Sequence, residues 1–222
     1  MLLAVDTSTQ WMGLALYDEA GVLGEMIWRT QSHHTVELSP SIAELLKRCG
    51  VTVHELRALG VALGPGSFTS LRIGLAVVKG LGMALHIPVI GIPTLDILAA
   101  AQPVQDLTLA VVLHAGRGRL AVGWYLPMGD KWQLQEGPQV IRIEELAKQI
   151  RKPTLVCGEL DKESRQLLGR KYRNVILVSP ASALRRPSYL AELAWKRWRA
   201  GKTDDIASLS PIYLHVVESS LE

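Results

Sequence analysis

The chain has 222 residues, 48% of them hydrophobic and 20% charged, with a net charge of +3. That length and balance suit one large or two small globular domains with proper cores, and they exclude a disordered or fibrous chain. The charge is uneven: 13 basic against 8 acidic residues from Arg151 onward leave +5 there and −2 over residues 1–150, a lean compatible with RNA contact by the second half but equally explained by solubility.

The segment Met1-Leu2-Leu3-Ala4-Val5-Asp6 has neither the basic start nor the apolar stretch of a secretion signal. The most apolar run, Ile73 to Ile92, is interrupted by Lys79, His86 and Pro88, so a buried helix and strand are expected there and no membrane span. Cys49 and Cys157 belong to no Cys-x-x-Cys pair and are expected as reduced thiols of a cytoplasmic protein.

In chain order, Leu2–Asp6, Gly13–Tyr17 and Val22–Trp28 are short apolar or alternating runs separated by Asp18, Gly21 and Gly24, which predicts a three-stranded antiparallel meander. Leu38, Ile42, Leu45, Leu46 and Cys49 recur at helical spacing before Gly50, an amphipathic helix with a glycine stop. Leu59–Leu63 predicts a buried strand, and Ser67 is placed to cap a helix running to about His86. Val89–Ile92 follows as a strand and Thr94–Ala101 as a helix.

After Gln102-Pro103 the pattern repeats in outline: strands at Leu107–Leu113, Leu120–Tyr125 and Trp132–Ile141, a helix at Ile143–Ile150, a strand at Thr154–Cys157, a helix at Lys162–Leu168, a strand at Val175–Val178 and a helix at Ser188–Ala200. No residue period accompanies it. Two α/β lobes are expected, residues 1–101 and 102–222.

Few segments carry chemistry. The run Gly64-Pro65-Gly66-Ser67-Phe68-Thr69-Ser70 joins strand to helix but lacks the Gly-Lys-[Ser/Thr] ending of a P-loop and the third glycine of a dinucleotide site, so a tight turn is preferred to a phosphate cradle. Asp6, Thr7 and Ser8 end the first strand where an acid and hydroxyls could hold a metal-bound phosphate, yet no glycine follows closely enough to admit one. His33, His34 and Glu37 share a helix start, and His114 stands alone at a strand end; capping or surface roles fit these better than a metal site.

The helix after Ser67 is more informative. Leu71, Leu75, Val78 and Leu85 form one apolar stripe and Ile73, Val77, Leu81 and Ala84 another, with Gly74, Gly80 and Gly82 inside it. Such a helix needs cover on both sides, from its own core or from a partner.

Together, Ala4-Val5-Asp6-Thr7-Ser8, His34-Thr35-Val36-Glu37-Leu38-Ser39-Pro40, Gly64-Pro65-Gly66-Ser67-Phe68-Thr69-Ser70-Leu71-Arg72-Ile73-Gly74, Lys79-Gly80-Leu81 and Ile87-Pro88-Val89 closely resemble the TsaB family, formerly YeaZ. The resemblance covers residues 1–100. Beyond them it rests on strand layout and the closing Pro211-Ile212-Tyr213-Leu214. It implies a two-lobed α/β fold of the actin-like, Hsp70-like ATPase type, related to RNase H. It further implies a scaffold without catalysis or cofactor, which dimerises with the paralogue TsaD in forming N6-threonylcarbamoyladenosine in tRNA. The small ATPase TsaE is a further implied partner, tRNA is met only through the complex, and no membrane is involved.

The catalytic paralogue carries a His-x-x-x-His metal motif where this chain has Thr94 and Leu98, neither of which offers a nitrogen ligand. In the family the two helices after His34 and Gly66 build a four-helix bundle with the partner. The resemblance therefore implies a partner surface at His34, Leu38, Ile42, Leu45, Leu71, Gly74, Leu75 and Val78, with vestigial phosphate-site positions at Asp6, Thr7 and Ser8. The same apolar surface would serve a homodimer of the isolated chain. Two rival expectations stand beside this one: a nucleotide-dependent enzyme, and a tRNA-binding module using Arg185, Arg186, Lys196 and Arg197.

Overall fold

The computed structural model describes residues 1–31, 33–171 and 173–214. Two compact units make up the chain, one from Met1–Ile97 with Arg185–Ile212, the other from Leu98–Leu184 with Tyr213 onward.

In the first unit, β1 (Leu2–Asp6), β2 (Trp11–Tyr17) and β3 (Val22–Arg29) form the expected meander. Then come α1 (His34–Arg48), a short 3-10 turn at Val53–Glu55, β4 (Ala58–Gly64), α2 (Phe68–Leu85), β5 (Val89–Pro93) and α3 (Thr94–Ala100). The sheet runs β3-β2-β1-β4-β5, with β4 parallel to both β1 and β5.

Ser67 caps α2 as expected, accepting from the Ser70 N–H, and His86 closes it in the left-handed conformation at φ 53°. Every residue of β1 is buried because the sheet is covered on both faces. Leu3, Val5, Met12, Leu14 and Leu16 meet the inner sides of α1 and α2. Leu2, Ala4, Ala15, Ala58 and Ala62 point the other way and meet α6 (Pro187–Arg199) through Leu190, Ala191 and Ala194.

Helix α6 corrects the expected domain division. Sequence order assigns it to the second lobe, but it packs in the first unit because the alanine-rich side of that sheet accepts a helix at short range, where larger residues would hold it off. Arg186 and Ser188 at its start also bind Glu25 of β3, through an Arg186–Glu25 ion pair and a Ser188 N–H donated to Oε1 at 3.0 Å. The boundary before the second unit falls after Ile97, inside α3.

The second unit contains β6 (Thr108–His114), β7 (Arg119–Met128), β8 (Lys131–Arg142), α4 (Ile143–Gln149), β9 (Thr154–Gly158), α5 (Lys162–Lys171) and β10 (Val175–Leu177). Its sheet runs β10-β9-β6-β7-β8, antiparallel from β6 to β8 and parallel from β6 through β9 to β10. That is the strand order of the first sheet repeated, and it makes this the expected two-lobed α/β fold of the actin-like type. Ala110, Val112, Leu120, Val122 and Val156 face Leu146, Ala147, Ile150 and Leu168 of α4 and α5.

Candidate functional site

Two regions hold the predicted site residues. The first is the turn after β1. Asp6 is buried, and its carboxylate is fully engaged: Oδ1 accepts from the Ser8 N–H at 2.8 Å and Oδ2 from Arg185 Nε at 2.5 Å. Both side chains of this ion pair are almost wholly inaccessible, at 2% and 1% exposure. Arg185 also donates to Thr9 Oγ1 at 3.0 Å. Thr7 Oγ1 donates to the Ser70 carbonyl of α2 at 2.7 Å, while Ser8 Oγ and Thr94 Oγ1 share a bond of 2.9 Å.

The neighbouring glycine turn is drawn against this one. A Cβ on Gly66 would collide with the Ser8 carbonyl, and Gly64 sits at φ +109°, which only glycine adopts readily. Four backbone donors of these turns are committed within the protein: Ser8 N–H to Asp6, Trp11 N–H to Thr9 Oγ1, Gly64 N–H to Thr94 Oγ1 and Ser67 N–H to the Ser8 carbonyl. A phosphate or metal ion entering here would have to break these bonds and separate a buried ion pair.

Thr94 starts α3 and is completely buried in this network; Leu98, one helical turn on, is also buried and purely apolar. Arg185, expected as an RNA contact, is instead the counter-ion of Asp6. The other residues of that expectation are also engaged inside the first unit. Arg186 pairs with Glu25, Lys196 with Glu192, and Arg197 with Asp204 at 3.0 Å and with the Gly91 carbonyl at 2.6 Å. Arg185 is therefore inaccessible to a phosphate, whereas Arg186 and Lys196 keep 53% and 69% exposure in surface ion pairs, which hold such side chains only weakly.

The second region is the pair of helices α1 and α2. All eight residues expected as partner surface, His34, Leu38, Ile42, Leu45, Leu71, Gly74, Leu75 and Val78, are buried within the unit. They form its core, because the stripe that carries the largest aliphatic side chains is the one that packs on the sheet. His34 ties the start of α1 to the turn after β1, its Nε2 lying 3.0 Å from the Thr9 carbonyl. His33 and Glu37 are 3.8 Å apart on the outside, and the Trp28 indole N–H, donated to Glu37 at 2.8 Å, holds that carboxyl below the usual range.

The opposite sides of the two helices are open. On α1, Thr35, Val36, Ser39, Pro40, Ala43 and Lys47 are exposed, Val36 at 68%. On α2 the exposed residues include Phe68, Arg72, Ala76, Gly80, Met83 and Ala84, with Phe68 at 53% and Met83 at 65%. The Arg72 guanidinium lies over the Phe68 ring, 3.8 Å from its centre. Ile73, Val77 and Leu81 flank this side, half-buried. By length and composition α2 could cross a membrane, because its outer side is nearly as apolar as its inner one.

The glycines of α2 separate the two sides. A Cβ on Gly74 would collide with Thr7 Oγ1, so internal packing requires that glycine. At Gly80 a Cβ would meet nothing within 4 Å, so nothing inside the unit accounts for a residue that weakens a helix by about 1 kcal/mol relative to alanine. The outward stripe of Ile73, Val77, Leu81 and Ala84, visible in the sequence, is the signal that could have placed the open face on this side.

A model of the family described as TsaD, tRNA N6-adenosine threonylcarbamoyltransferase, matches residues 21–195. The tRNA threonylcarbamoyladenosine biosynthesis protein TsaB of Bacillus subtilis (strain 168) is 30% identical over 222 residues, spanning 98% of this chain and 95% of that protein. The chain belongs to the TsaB (YeaZ) family. The protein of the same name from Escherichia coli (strain K12) is 26% identical, with 96% and 94% of the two chains covered. The solved structure of YeaZ from Pseudomonas aeruginosa superimposes with a TM-score of 0.77 at 27% identity, covering 96% of this chain and 99% of that one. A second structure, of an uncharacterized Pseudomonas aeruginosa protein with similarity to peptidase YEAZ, gives 0.80 at 26% identity with the same coverage.

Proposed function

We propose that this chain is a cytoplasmic, non-catalytic dimerisation subunit that binds and stabilises a TsaD-like catalytic subunit in forming N6-threonylcarbamoyladenosine in tRNA. The outer faces of α1 and α2 are the docking surface. The observation that carries this reading is Gly80, a helix-weakening residue with open space around it in the middle of an exposed apolar stripe. A glycine there lets a partner helix approach closely. Val36, Ala43, Phe68, Ala76 and Met83 supply the apolar surface around it, and without a partner the isolated chain would use the same face to pair with a second copy.

The turn after β1 supports the non-catalytic part. Asp6, Thr7 and Ser8 keep the positions of a phosphate site but direct their polar groups to Arg185, Ser70 and Thr94. Thr94 and Leu98 offer no nitrogen where the catalytic relative needs metal ligands. The subunit accordingly meets tRNA and a TsaE-like ATPase as part of the assembled complex.

The test is co-purification with the TsaD of the same organism, sized by light scattering, with threonylcarbamoyl transfer to tRNA measured with and without this chain. A heterodimer whose activity needs this chain, and which Gly80→Trp dissociates without unfolding the monomer, is the expected result. Transfer by this chain alone, or a Gly80→Trp variant that still associates at wild-type affinity, would overturn the proposal.

A further inference from the structure

The second unit carries an open groove of about 620 Å³ on the face of its sheet, within the size range of small-molecule sites. Its origin lies in element lengths. Helix α4 has seven residues, about 10 Å of helix, whereas β7 has ten residues, about 33 Å of strand. Together with α5, the helix therefore covers Ala110, Val112, Leu120, Val122 and Val156 and leaves part of the continuation of the same face open. Trp124 and Leu126 form the open part of that floor, with Thr108 and the buried Thr154 at its edge. The β7–β8 ladder shifts register on both sides of Trp124, a bulge of the kind that bends a strand and re-aims a side chain.

The groove is amphipathic. Trp124 is half-buried and Leu126 is exposed. Gln135 and Gln139 of β8 and Gln149 at the end of α4 line it, with Gln139 Nε2 donating to Gln149 Oε1 at 3.3 Å. Beneath the floor, Thr108 Oγ1 is buried with no hydrogen-bond partner among the described residues. At the mouth stand Arg151 and Lys152, with Lys148 one turn earlier. All three are exposed, and none forms an ion pair among the described residues. The Asn174 side chain, bonded to the Arg151 carbonyl at 2.9 Å, brings the exposed Arg173 to the same end of the sheet. Glu136 is the acid among the lining residues.

An indole floor, a rim of amides and a mouth of unpaired cations match the chemistry of an unpaired nucleotide. The base stacks on the aromatic ring, its edge is read by hydrogen bonds, and the phosphates are held by Lys and Arg. We propose that this groove binds an unpaired nucleotide of single-stranded RNA, stacked on Trp124 with its backbone at Arg151 and Lys152. The groove is built wholly from residues of the second unit, and the proposal does not depend on what the α1–α2 face binds. It also returns direct RNA contact to the second half of the chain, on cations other than those expected from the sequence.

The experiment measures fluorescence anisotropy of a labelled single-stranded RNA of about ten nucleotides with the full-length chain over a salt series. Trp124→Ala should weaken binding about tenfold or more and Trp124→Phe should restore most of it. The double substitution Arg151→Ala, Lys152→Ala should reduce the slope of log affinity against log salt by about 1.4, while Lys202→Ala, on an exposed residue elsewhere, leaves it unchanged. Because Trp124 also packs on the core and its truncation can unfold the unit, 4-thiouridine cross-linking of the wild-type chain gives an independent readout. Cross-links should map to β7, β8 or the α4–β9 turn. No saturable RNA binding, equal binding by the cation variant, cross-links confined elsewhere, or a site that takes free AMP and not RNA would each overturn the assignment.

Discussion

The two sheets share one strand order but differ in what covers them. In the first unit α1 and α2 have 15 and 18 residues; in the second the equivalent α4 and α5 have 7 and 10. The long helices span their sheet and have apolar surface to spare on the outside. The short ones leave part of their sheet bare under a polar rim. A repeated backbone plan thus leaves an apolar outer helix face in one unit and an amphipathic groove in the other, and the difference in helix length contributes to the contrast.

The sharpest test of the first half of that contrast is Leu75→Glu. Leu75 is buried on the sheet side of α2, so a carboxylate there should cost at least about 4 kcal/mol and unfold the unit, which circular dichroism would register. A folded Leu75→Glu variant would mean that the inner and outer faces are exchanged. Next in size is Arg185→Met, which leaves Asp6 buried without its counter-ion. A loss of about 3–5 kcal/mol in denaturant unfolding is expected, with most of it recovered when Asp6→Asn is added.

The two glycines of α2 should then move in opposite directions. Gly74→Ala forces Thr7 off its bond to Ser70 and should cost about 2 kcal/mol, whereas Gly80→Ala should stabilise the monomer by about 1 kcal/mol. Chemical denaturation of both variants measures the gap; a destabilised Gly80→Ala monomer would show that internal packing also requires that glycine.

The smallest effect concerns how α6 is held. Burial pushes the Glu25 carboxyl up, but the bonds from Arg186 and Ser188 outweigh it and leave the pKa below its ordinary value. Because the folded pKa is the lower one, this contribution is complete above the ordinary carboxylate range and is lost as pH falls through the folded value. Glu25→Gln should therefore cost about 1 kcal/mol at neutral pH, and the difference from wild type should vanish in acid. A gap that persists at low pH would assign the effect to shape and not charge.

Much of the fold is legible in the sequence. The strands from Leu2 to Leu177 and all six helices follow from hydrophobic period, Ser67, Gly50 and the glycine–proline turns, since those signals are local. The placement of α6 is not, because nothing in Pro187–Arg199 says which sheet it will meet; the alanines that receive it lie at positions 4, 15, 58 and 62. The turn after β1 is legible only as an acid and hydroxyls at a strand end. That Asp6 is closed off by a residue 179 positions away is a long-range fact with no sequence spacing to reveal it.

The sequence by itself determined the family, the two α/β repeats and the presence of a helix apolar on two sides. Tertiary structure alone decided which side is core, that Arg185, Arg186, Lys196 and Arg197 are committed to carboxylates, and that a groove opens beside Trp124. The reason is physical: periodicity reports that a residue avoids water, but only packing reports what it meets instead.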